Sequence, residues 1–392
     1  MDPRLNPYAP GAGTPPPELA GRDGLIEAAS ITIDRYRNGL AARSIVLNGL
    51  RGVGKTVLLN RMRLDAEAAG VITVPVEAPE NRSLPALLLP PLRSSLIRVS
   101  RPARAQDSMK TVWGALAAFA KVFKLKYDDV EFSVELDPIQ GIADTGDLEN
   151  DLAELLGLLG KLARDQNNVL ALYIDELQYV EEDQLAALIT ALHKASQQSL
   201  PVTLFAAGLP QLLGQMGKAK SYAERLFEFV PIGPLAPQYA RAAIVVPAEK
   251  QNVEYEPEAV DEIIQATQAY PYFIQEWGKH SWQIAEQSPI TLNDARTATE
   301  AAVAALDSSF FRVRFDRLTP SEKRYMRAMA ELGAGPHRSG DVADVLQRKV
   351  NSVAPTRSSL IRKGMAYSPS HGDVAFTVPL FDGFMKRVMD LD

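Results

Sequence analysis

The sequence predicts an α/β fold: a parallel sheet first, then an all-helical segment, then a C-terminal unit of three helices and a hairpin. Two patterns lead to this prediction. Short apolar runs alternate with helical segments as far as residue 233, as is typical of a parallel sheet. Beyond that point strand signals stop, and residues 236–308 read as four helices separated near Tyr255, Pro271 and Pro289.

Strand and helix signals alternate along the first 208 residues. Several helical segments end at glycines, such as Gly39 and Gly70. The apolar runs 169–174 and 201–208 are continuous, as in strands that are buried on both faces of a sheet. Residues 1–20 are rich in proline and glycine and read as an extended lead-in, and residues 80–145 are less regular. The predicted strands are 44–47, 71–77, 169–174 and 201–208, and the predicted helices are 21–39, 56–68, 147–165 and 181–198.

The last segment has a pattern of its own. Thr319, with Glu322 three residues later, is a capping box that predicts the start of a helix. Two further helical segments follow, SGDVADVLQ and VNSVAPTRSSLIRKG. Two short β-like runs then flank a Ser-His-Gly-Asp turn. Three helices followed by a hairpin is the plan of a winged helix-turn-helix.

Composition excludes several classes of protein and site. The chain has 392 residues, of which 46% are hydrophobic and 23% charged, as in a soluble protein of two or three domains. It contains no cysteine, which excludes disulfides, cysteine nucleophiles and cysteine-ligated zinc. No apolar stretch approaches the roughly 18 residues of a transmembrane helix, and residues 1–21 lack the pattern of a signal peptide. We therefore expect a cytoplasmic protein with no membrane association.

Charge is distributed unevenly. The net charge is −6, yet residues 310–392 hold 14 basic and 9 acidic side chains, while residues 1–309 hold 28 basic and 39 acidic ones. An acidic body with a basic C-terminal end suggests that the end has a separate role.

A glycine-rich loop lies between a predicted strand and a predicted helix. Its sequence, GLRGVGKT, fits the phosphate-binding pattern G-x-x-x-x-G-K-[ST]. Glycines let the backbone N–H groups approach phosphate oxygens, and the helix N-terminus adds positive charge. The alternative is a glycine-rich loop with a chance lysine, but the strand before it and the helix after it favour phosphate binding. The candidate nucleotide residues are Gly49, Gly52, Val53, Gly54, Lys55 for the β- and γ-phosphates, and Thr56 for Mg²⁺.

An acidic pair ends a second apolar strand. In VLALYIDELQY, Asp175 would hold Mg²⁺ and Glu176 would orient the attacking water. An ATPase needs this arrangement, because its chemistry is mostly positioning and charge neutralisation. The alternative is a pair that caps the next helix.

Together these features resemble the AAA+ P-loop ATPases. GLRGVGKT, YIDELQ, an all-helical lid and a C-terminal winged helix are similar to ATPases related to replication initiators of the origin-recognition type and to STAND signalling ATPases. The resemblance implies a Pro/Gly-rich segment over 1–20, an ATPase core over 21–233, a helical lid over 234–309 and a winged helix over 310–392. It also implies ATP and Mg²⁺ as ligands.

Three further motifs gain a role only from the resemblance. LAGRD is similar to the box that lies against adenine, which makes Gly21 and Arg22 candidates; the alternative is a capping turn. SYAERLFEF resembles the arginine-finger segment, so Arg225 would reach a neighbour's γ-phosphate in a homo-oligomer or its own in a monomer; the alternative is a surface salt bridge. YPYFIQEWG resembles the lid motif whose proline lies on the nucleotide, here Pro271; the alternative is a helix that starts at proline.

The sequence departs from the family at two places. VTLFAAG has no Asn, Thr or Ser at its end, where the first sensor residue usually lies. The helix after Pro271 has no arginine for the second sensor, and Lys279 and His280 are poor substitutes. Both departures favour slow hydrolysis, or a nucleotide that is held as a switch.

Basic residues around the third C-terminal helix are candidates for double-stranded DNA binding. Their contacts with phosphates would make affinity dependent on salt. The alternative is a solvated basic face that docks on the acidic body. The candidates are Arg348, Lys349, Arg357, Arg362 and Lys363.

The sequence thus predicts an ATPase that couples Mg²⁺–ATP binding or hydrolysis to DNA binding or assembly through a winged helix. The rival prediction is a STAND-like signalling or scaffold switch that holds ATP, and whose winged helix contacts only protein.

Overall fold

A five-stranded parallel sheet forms the centre of the first part of the chain. The computed structural model describes residues 1–11, 13–80, 82–99, 106–123 and 138–391. The strands follow the order β2-β3-β4-β1-β5, and every neighbouring pair is parallel. Their bounds are β1 Ser44–Asn48, β2 Ile72–Glu77, β3 Leu170–Asp175, β4 Val202–Gly208 and β5 Phe227–Pro231.

The first four strands match the predicted ones, and β5 is an addition. It lies at the edge of the sheet, where only Phe227 is buried and Glu228 is exposed. Such a short, half-exposed strand leaves no continuous apolar run in the sequence, which is why its signal was missed.

Helices cover both faces of the sheet. Alternate residues of β1 point to opposite faces, so Val46 joins the cluster on one face while Ile45 and Leu47 join the cluster on the other. The segment that read as irregular contains two helices, α3 and α4, and α3 carries Pro90 and Pro91 in its interior, which obscured the helical signal. The helices of this part are α1 Asp23–Arg37, α2 Lys55–Ala68, α3 Leu84–Val99, α4 Gln106–Val122, α5 Leu148–Asp165, α6 Glu182–Gln197, α7 Leu212–Ala219 and α8 Ala223–Leu226.

Four helices follow, as the sequence predicted. Prolines begin three of them, at a position where a missing N–H group costs nothing. The helices are α9 Pro237–Glu249, α10 Pro257–Thr267, α11 Pro271–Ile284 and α12 Leu292–Ser308. We call them the helical segment.

The C-terminal unit, residues 310–391, combines helices with a three-stranded antiparallel sheet in the order β6-β8-β7. The capping box is present: the Thr319 side chain accepts from the backbone of Glu322, whose carboxylate accepts from the backbone of Thr319. The first and last helices were not predicted. The elements are α13 Phe310–Asp316, α14 Pro320–Leu332, β6 His337–Arg338, α15 Ser339–Val345, α16 Val350–Arg362, β7 Ala366–Tyr367, β8 Asp373–Phe376 and α17 Phe381–Val388.

The C-terminal unit and the helical segment share one hydrophobic cluster. Phe273 and Trp277 of α11 belong to it together with Phe311 and Phe381 of the C-terminal unit. The rings of Phe273 and Phe311 lie 6.4 Å apart, and those of Phe311 and Phe381 lie 5.7 Å apart. Shared aromatic packing of this kind fixes the two parts against each other. No helix in the described ranges is long and apolar enough to cross a membrane.

Candidate functional site

The glycine-rich loop, which we call the P-loop (residues 49–56), connects β1 to α2. Gly52 and Gly54 have φ of +81° and +87°, a region that favours glycine. A Cβ atom at Gly49 would lie 2.0 Å from the carbonyl oxygen of Ile232, so only glycine fits there. Gly54 is the N-cap of α2, and the positive end of the helix therefore faces the loop.

Lys55 lies inside this loop. Its ammonium group donates to the carbonyl oxygens of Gly49 at 2.9 Å and Leu50 at 2.8 Å. Burial lowers the pKa of Lys55 to about 8, although the carboxylates of Glu176 and Asp175 favour its charged form. These two hydrogen bonds hold the side chain along the loop. They place its ammonium group where phosphate oxygens would approach.

Thr56 and Asp175 come together from distant parts of the chain. The hydroxyl of Thr56 donates to Oδ2 of Asp175 at 2.6 Å. Asp175 ends β3, and α2 begins next to β1, so the carboxyl edge of the parallel sheet brings the two side chains to one point. Burial raises the pKa of Asp175. One hydroxyl and one half-buried carboxylate are hard oxygen ligands that fit Mg²⁺.

Glu176 is held by two side chains. The side-chain amide of Gln178 donates to its carboxylate, and the Arg51 guanidinium lies 3.8 Å from it. Gln178 is itself buried, and its side-chain oxygen accepts the backbone N–H of Leu209 at 3.0 Å, just beyond β4. Glu176 has φ +54° and ψ 35°, an uncommon conformation for a non-glycine residue. Gln178 was not among the predicted site residues, and its only signal is its place two residues after Glu176.

A cavity of about 560 Å³ contains these groups. The P-loop, the ends of β2 and β3, α11, α13 and the N-terminal residues 9–11, 13, 14, 16 and 18–20 contribute to its wall. Four cationic side chains line it: Arg22, Arg51, Lys55 and Arg314. Four carboxylates line it as well: Glu18, Glu77, Asp175 and Glu176. The cationic side chains and the helix N-terminus suit a polyphosphate.

Arg314 is a second residue that sequence reasoning missed. It belongs to α13, a helix that was not predicted, and it is neither in the helical segment nor near Arg225 in sequence. Its guanidinium lies 3.8 Å from the ring centre of Phe310 and donates to the carbonyl oxygen of Phe310 at 2.6 Å. Burial lowers the pKa of Arg314 to about 10.

Most of the predicted nucleotide residues meet in this cavity. Gly49 lies at the base of the P-loop, outside the cavity wall, and Gly21 packs against the Tyr239 ring, which a Cβ atom would approach to 2.5 Å. Arg225 is exposed on α8 and does not line the cavity. Those that line the cavity are Arg22, Gly52, Val53, Gly54, Lys55, Thr56, Asp175, Glu176 and Pro271.

The C-terminal unit touches the P-loop directly. The backbone N–H of Arg51 donates to the carbonyl oxygen of Thr377 at 3.0 Å, and the Arg51 guanidinium donates to the Tyr179 hydroxyl at 2.7 Å. Gly364 packs against the same pair: a Cβ atom there would lie 3.0 Å from the Tyr179 hydroxyl. Arg317 adds an ion pair with Glu80 at 2.8 Å.

The predicted DNA-binding residues divide into two groups. Arg348, Lys349 and Arg362 are exposed. Arg357 instead donates to the Ser368 side chain and the Asp373 carbonyl. Lys363 lies 2.8 Å from the buried carboxylate of Glu322.

Comparison with known proteins assigns the first part of the chain to a family. Residues 18–205 match the AAA ATPase domain family. This part of the chain is an AAA ATPase domain. Residues 308–385 match a domain of unknown function, DUF8462. No curated protein matches the sequence significantly.

One solved structure shares the fold along nearly the whole chain, and others are more distantly similar. A Walker-type ATPase of Pyrococcus abyssi is 14% identical, with 97% of this chain and 99% of that chain covered and a TM-score of 0.61. The Thermotoga maritima RuvB Holliday junction branch migration motor is 13% identical over 95% of each chain, with a TM-score of 0.45. The Aeropyrum pernix ORC1 protein, in complex with DNA, is 15% identical over 95% of this chain and 94% of that one, with a TM-score of 0.45. The first likeness is one of fold, since identity is low.

Proposed function

We propose that this protein is a slow ATPase that couples Mg²⁺–ATP binding and hydrolysis to the state of its C-terminal unit, through which it binds double-stranded DNA or assembles. The observation that carries the proposal is the 2.6 Å contact between Thr56 and Asp175 in a cavity lined by four cationic side chains. A P-loop, a metal-binding oxygen pair and a glutamate in one cavity form the set of groups that ATP hydrolysis needs.

Each side chain has one task in this proposal. The P-loop N–H groups and Lys55 bind the phosphates, whose oxygens compete with the two carbonyls that Lys55 now contacts. Thr56 and Asp175 would hold Mg²⁺, which neutralises phosphate charge when bound. Glu176 orients a water molecule and accepts its proton. Arg314 lies where it can meet the terminal phosphate from within the same chain. Pro271 and Arg22 enclose the base end of the cavity.

Coupling to the C-terminal unit is supported by two contacts. Arg314 in the cavity belongs to that unit, and Thr377 of the same unit accepts from the P-loop. A change in the phosphate contacts of Arg314 or of the P-loop would therefore act directly on the C-terminal unit. The order of α14, β6, α15, α16, β7 and β8 supports a winged helix, with α16 as the helix that would enter the major groove. The exposed Arg348, Lys349 and Arg362 support phosphate contacts.

Assembly is the second part of this proposal. Arg225 is exposed, so it can complete the site of a neighbouring copy. We propose it as the contact through which a homo-oligomer forms its shared sites.

A second candidate function is a switch that holds ATP without turnover. Two observations favour it. Glu176 is already engaged by Gln178 and Arg51, which limits its freedom to orient water. In addition, β4 ends in Ala-Ala-Gly, without a polar side chain to meet the terminal phosphate. In this case the C-terminal unit makes protein contacts only.

The first experiment is ATP turnover by the purified protein, with and without duplex DNA, next to Glu176→Gln. Turnover that rises with DNA and disappears in Glu176→Gln supports the DNA-coupled ATPase. ATP binding with negligible turnover and no response to DNA supports the switch. Lys55→Ala is the control for the site: if it binds ATP as well as the wild type, both candidate functions lose their nucleotide site.

A further inference from the structure

The N-terminal residues run from the helical segment to the P-loop. Residues 6–11 and 13–19, which we call the strap, lie almost wholly ahead of residue 18, where the AAA ATPase match begins. No role was predicted for these residues beyond an extended lead-in.

One end of the strap is anchored in the helical segment. Tyr8 is only 4% exposed, and its hydroxyl donates to the carbonyl oxygen of Ile244. The Asn6 side chain donates to the Lys279 carbonyl at 3.1 Å, and the Ala9 N–H donates to the Gln275 side chain at 3.3 Å. A buried aromatic ring with three hydrogen bonds around it is a firm attachment.

The anchor depends on a glycine of α11. A Cβ atom at Gly278 would lie 2.5 Å from the Tyr8 ring, well inside van der Waals contact. Gly278 thus leaves the notch in which the ring lies. Glycine inside a helix is less favourable than alanine, and in this helix it admits Tyr8.

The other end of the strap passes over the nucleotide cavity. A Cβ atom at Gly13 would lie 3.3 Å from the methyl group of Thr56, so the backbone of the strap lies next to the proposed Mg²⁺ ligand. Gly13 has φ +71°, a conformation that glycine adopts readily. Glu18, also in the cavity wall, pairs with Lys250 of the segment that follows α9 at 3.2 Å.

We propose that the strap closes the nucleotide cavity and has to open before nucleotide leaves, so that the Tyr8–Gly278 anchor sets the rate of nucleotide release. This inference rests on the proposed function, because it requires ATP in the cavity. The ligand that the strap would retain is a nucleoside triphosphate, and the strap belongs to the same chain as the cavity. Gating by a segment that covers a site acts on association and dissociation rates.

The test is the dissociation rate of a fluorescent ATP analogue, followed by stopped-flow chase with unlabelled ATP. Tyr8→Ala removes the ring, and Gly278→Ala fills its notch while favouring the helix, so the second variant keeps α11 folded. We expect each to release nucleotide about tenfold faster or more. Because both act through one contact, the double variant should release no faster than the single ones.

Tyr8→Phe is the matched control, since it keeps the ring and loses only the hydroxyl, and we expect a smaller change in release. Unchanged release in both Tyr8→Ala and Gly278→Ala overturns the inference, as does a double variant whose effect is the product of the single ones. Lys55→Ala separates the two proposals. If it abolishes binding while Tyr8→Ala releases normally, only the strap inference fails; if it binds normally, the nucleotide site itself is wrong.

Discussion

The side-chain amide of Gln178 donates to the carboxylate of Glu176 and connects Glu176 to the end of β4. The oxygen of the same amide accepts from Leu209 at 3.0 Å. A Cβ atom at Gly208 would lie 2.7 Å from that oxygen, so glycine is required beside it. The strand whose end lacks a polar side chain is thereby connected to the proposed catalytic base through a buried glutamine.

Gln178→Ala should lower kcat about tenfold while the Kd for ATP changes little. If the protein is an ATPase, the Gln178 amide keeps the Glu176 carboxylate turned toward water, so the variant loses this orientation while the phosphate contacts stay intact. An unchanged or higher kcat would support the switch, in which the same contact restrains Glu176. Steady-state kinetics and equilibrium titration separate the two quantities. Gln197→Ala, exposed on α6, is the control. An equal loss of ATP affinity in Gln178→Ala would assign the glutamine to nucleotide binding instead.

Arg314→Ala should weaken ATP binding or turnover by about ten- to a hundredfold at every protein concentration, because the guanidinium lines the cavity of its own chain. Arg225→Ala should lower only the part of turnover that increases with protein concentration, because this side chain is exposed. Turnover measured from dilute to concentrated protein distinguishes them. Loss of activity in dilute, monomeric Arg225→Ala would place that arginine at its own site and contradict the geometry.

Arg348→Ala, Lys349→Ala and Arg362→Ala should each weaken duplex binding, most strongly at low salt. Every lost phosphate contact should reduce the slope of log K against log salt by about 0.9. Titrations of duplex DNA at several salt concentrations measure the slope, with Arg61→Ala on α2 as the control. Wild-type protein that binds no duplex at low salt would instead support the switch.

Lys363→Met should destabilise the C-terminal unit by about 1–3 kcal/mol at neutral pH, since it leaves a buried carboxylate without its cation. Burial raises the pKa of Glu322, but hydrogen bonds from Lys363, Thr319 and Ser359 outweigh it and lower the pKa from 4.5 to about 2. A lowered folded-state pKa stabilises the protein above pH 4.5, and this contribution is lost as pH falls through about 2.

Denaturant unfolding of wild type and Lys363→Met at several pH values tests this. The difference in unfolding free energy should be largest near neutrality and should shrink toward pH 2. Arg324→Met, an exposed residue on α14, is the control. A difference that is independent of pH would show that the lysine contributes through packing alone.

Much of the fold was predictable because its signals are local. Continuous apolar runs marked β1 to β4. The boundaries near Tyr255 and Pro271 and the capping box at Thr319 marked helix starts that the structure confirms. The unpredicted elements lack such signals: β5 is short and half-exposed, and α3 carries two prolines in its interior. A propensity argument cannot find a helix whose stability comes from packing.

The candidate site likewise contains residues that could be predicted from local motifs and residues that could not. Lys55, Thr56 and the Asp175–Glu176 pair belong to motifs whose spacing is set by one strand and one turn, so sequence was sufficient to propose them. Arg314 and Gln178 act across the fold, and no spacing in the sequence connects residue 314 to residue 55. Their places depend on how the C-terminal unit and β4 pack against the P-loop, and that information is tertiary.

The hydrogen bond from Arg51 to Thr377 gives the protein a built-in reporter. The donor belongs to the P-loop, and the acceptor belongs to the C-terminal unit 326 residues later in the sequence. Deuterium replaces that amide proton when the two parts separate. The exchange rate of this amide therefore measures how often the C-terminal unit separates from the P-loop. Mass spectrometry of the peptide that carries Arg51, with and without nucleotide, would thus time the undocking itself.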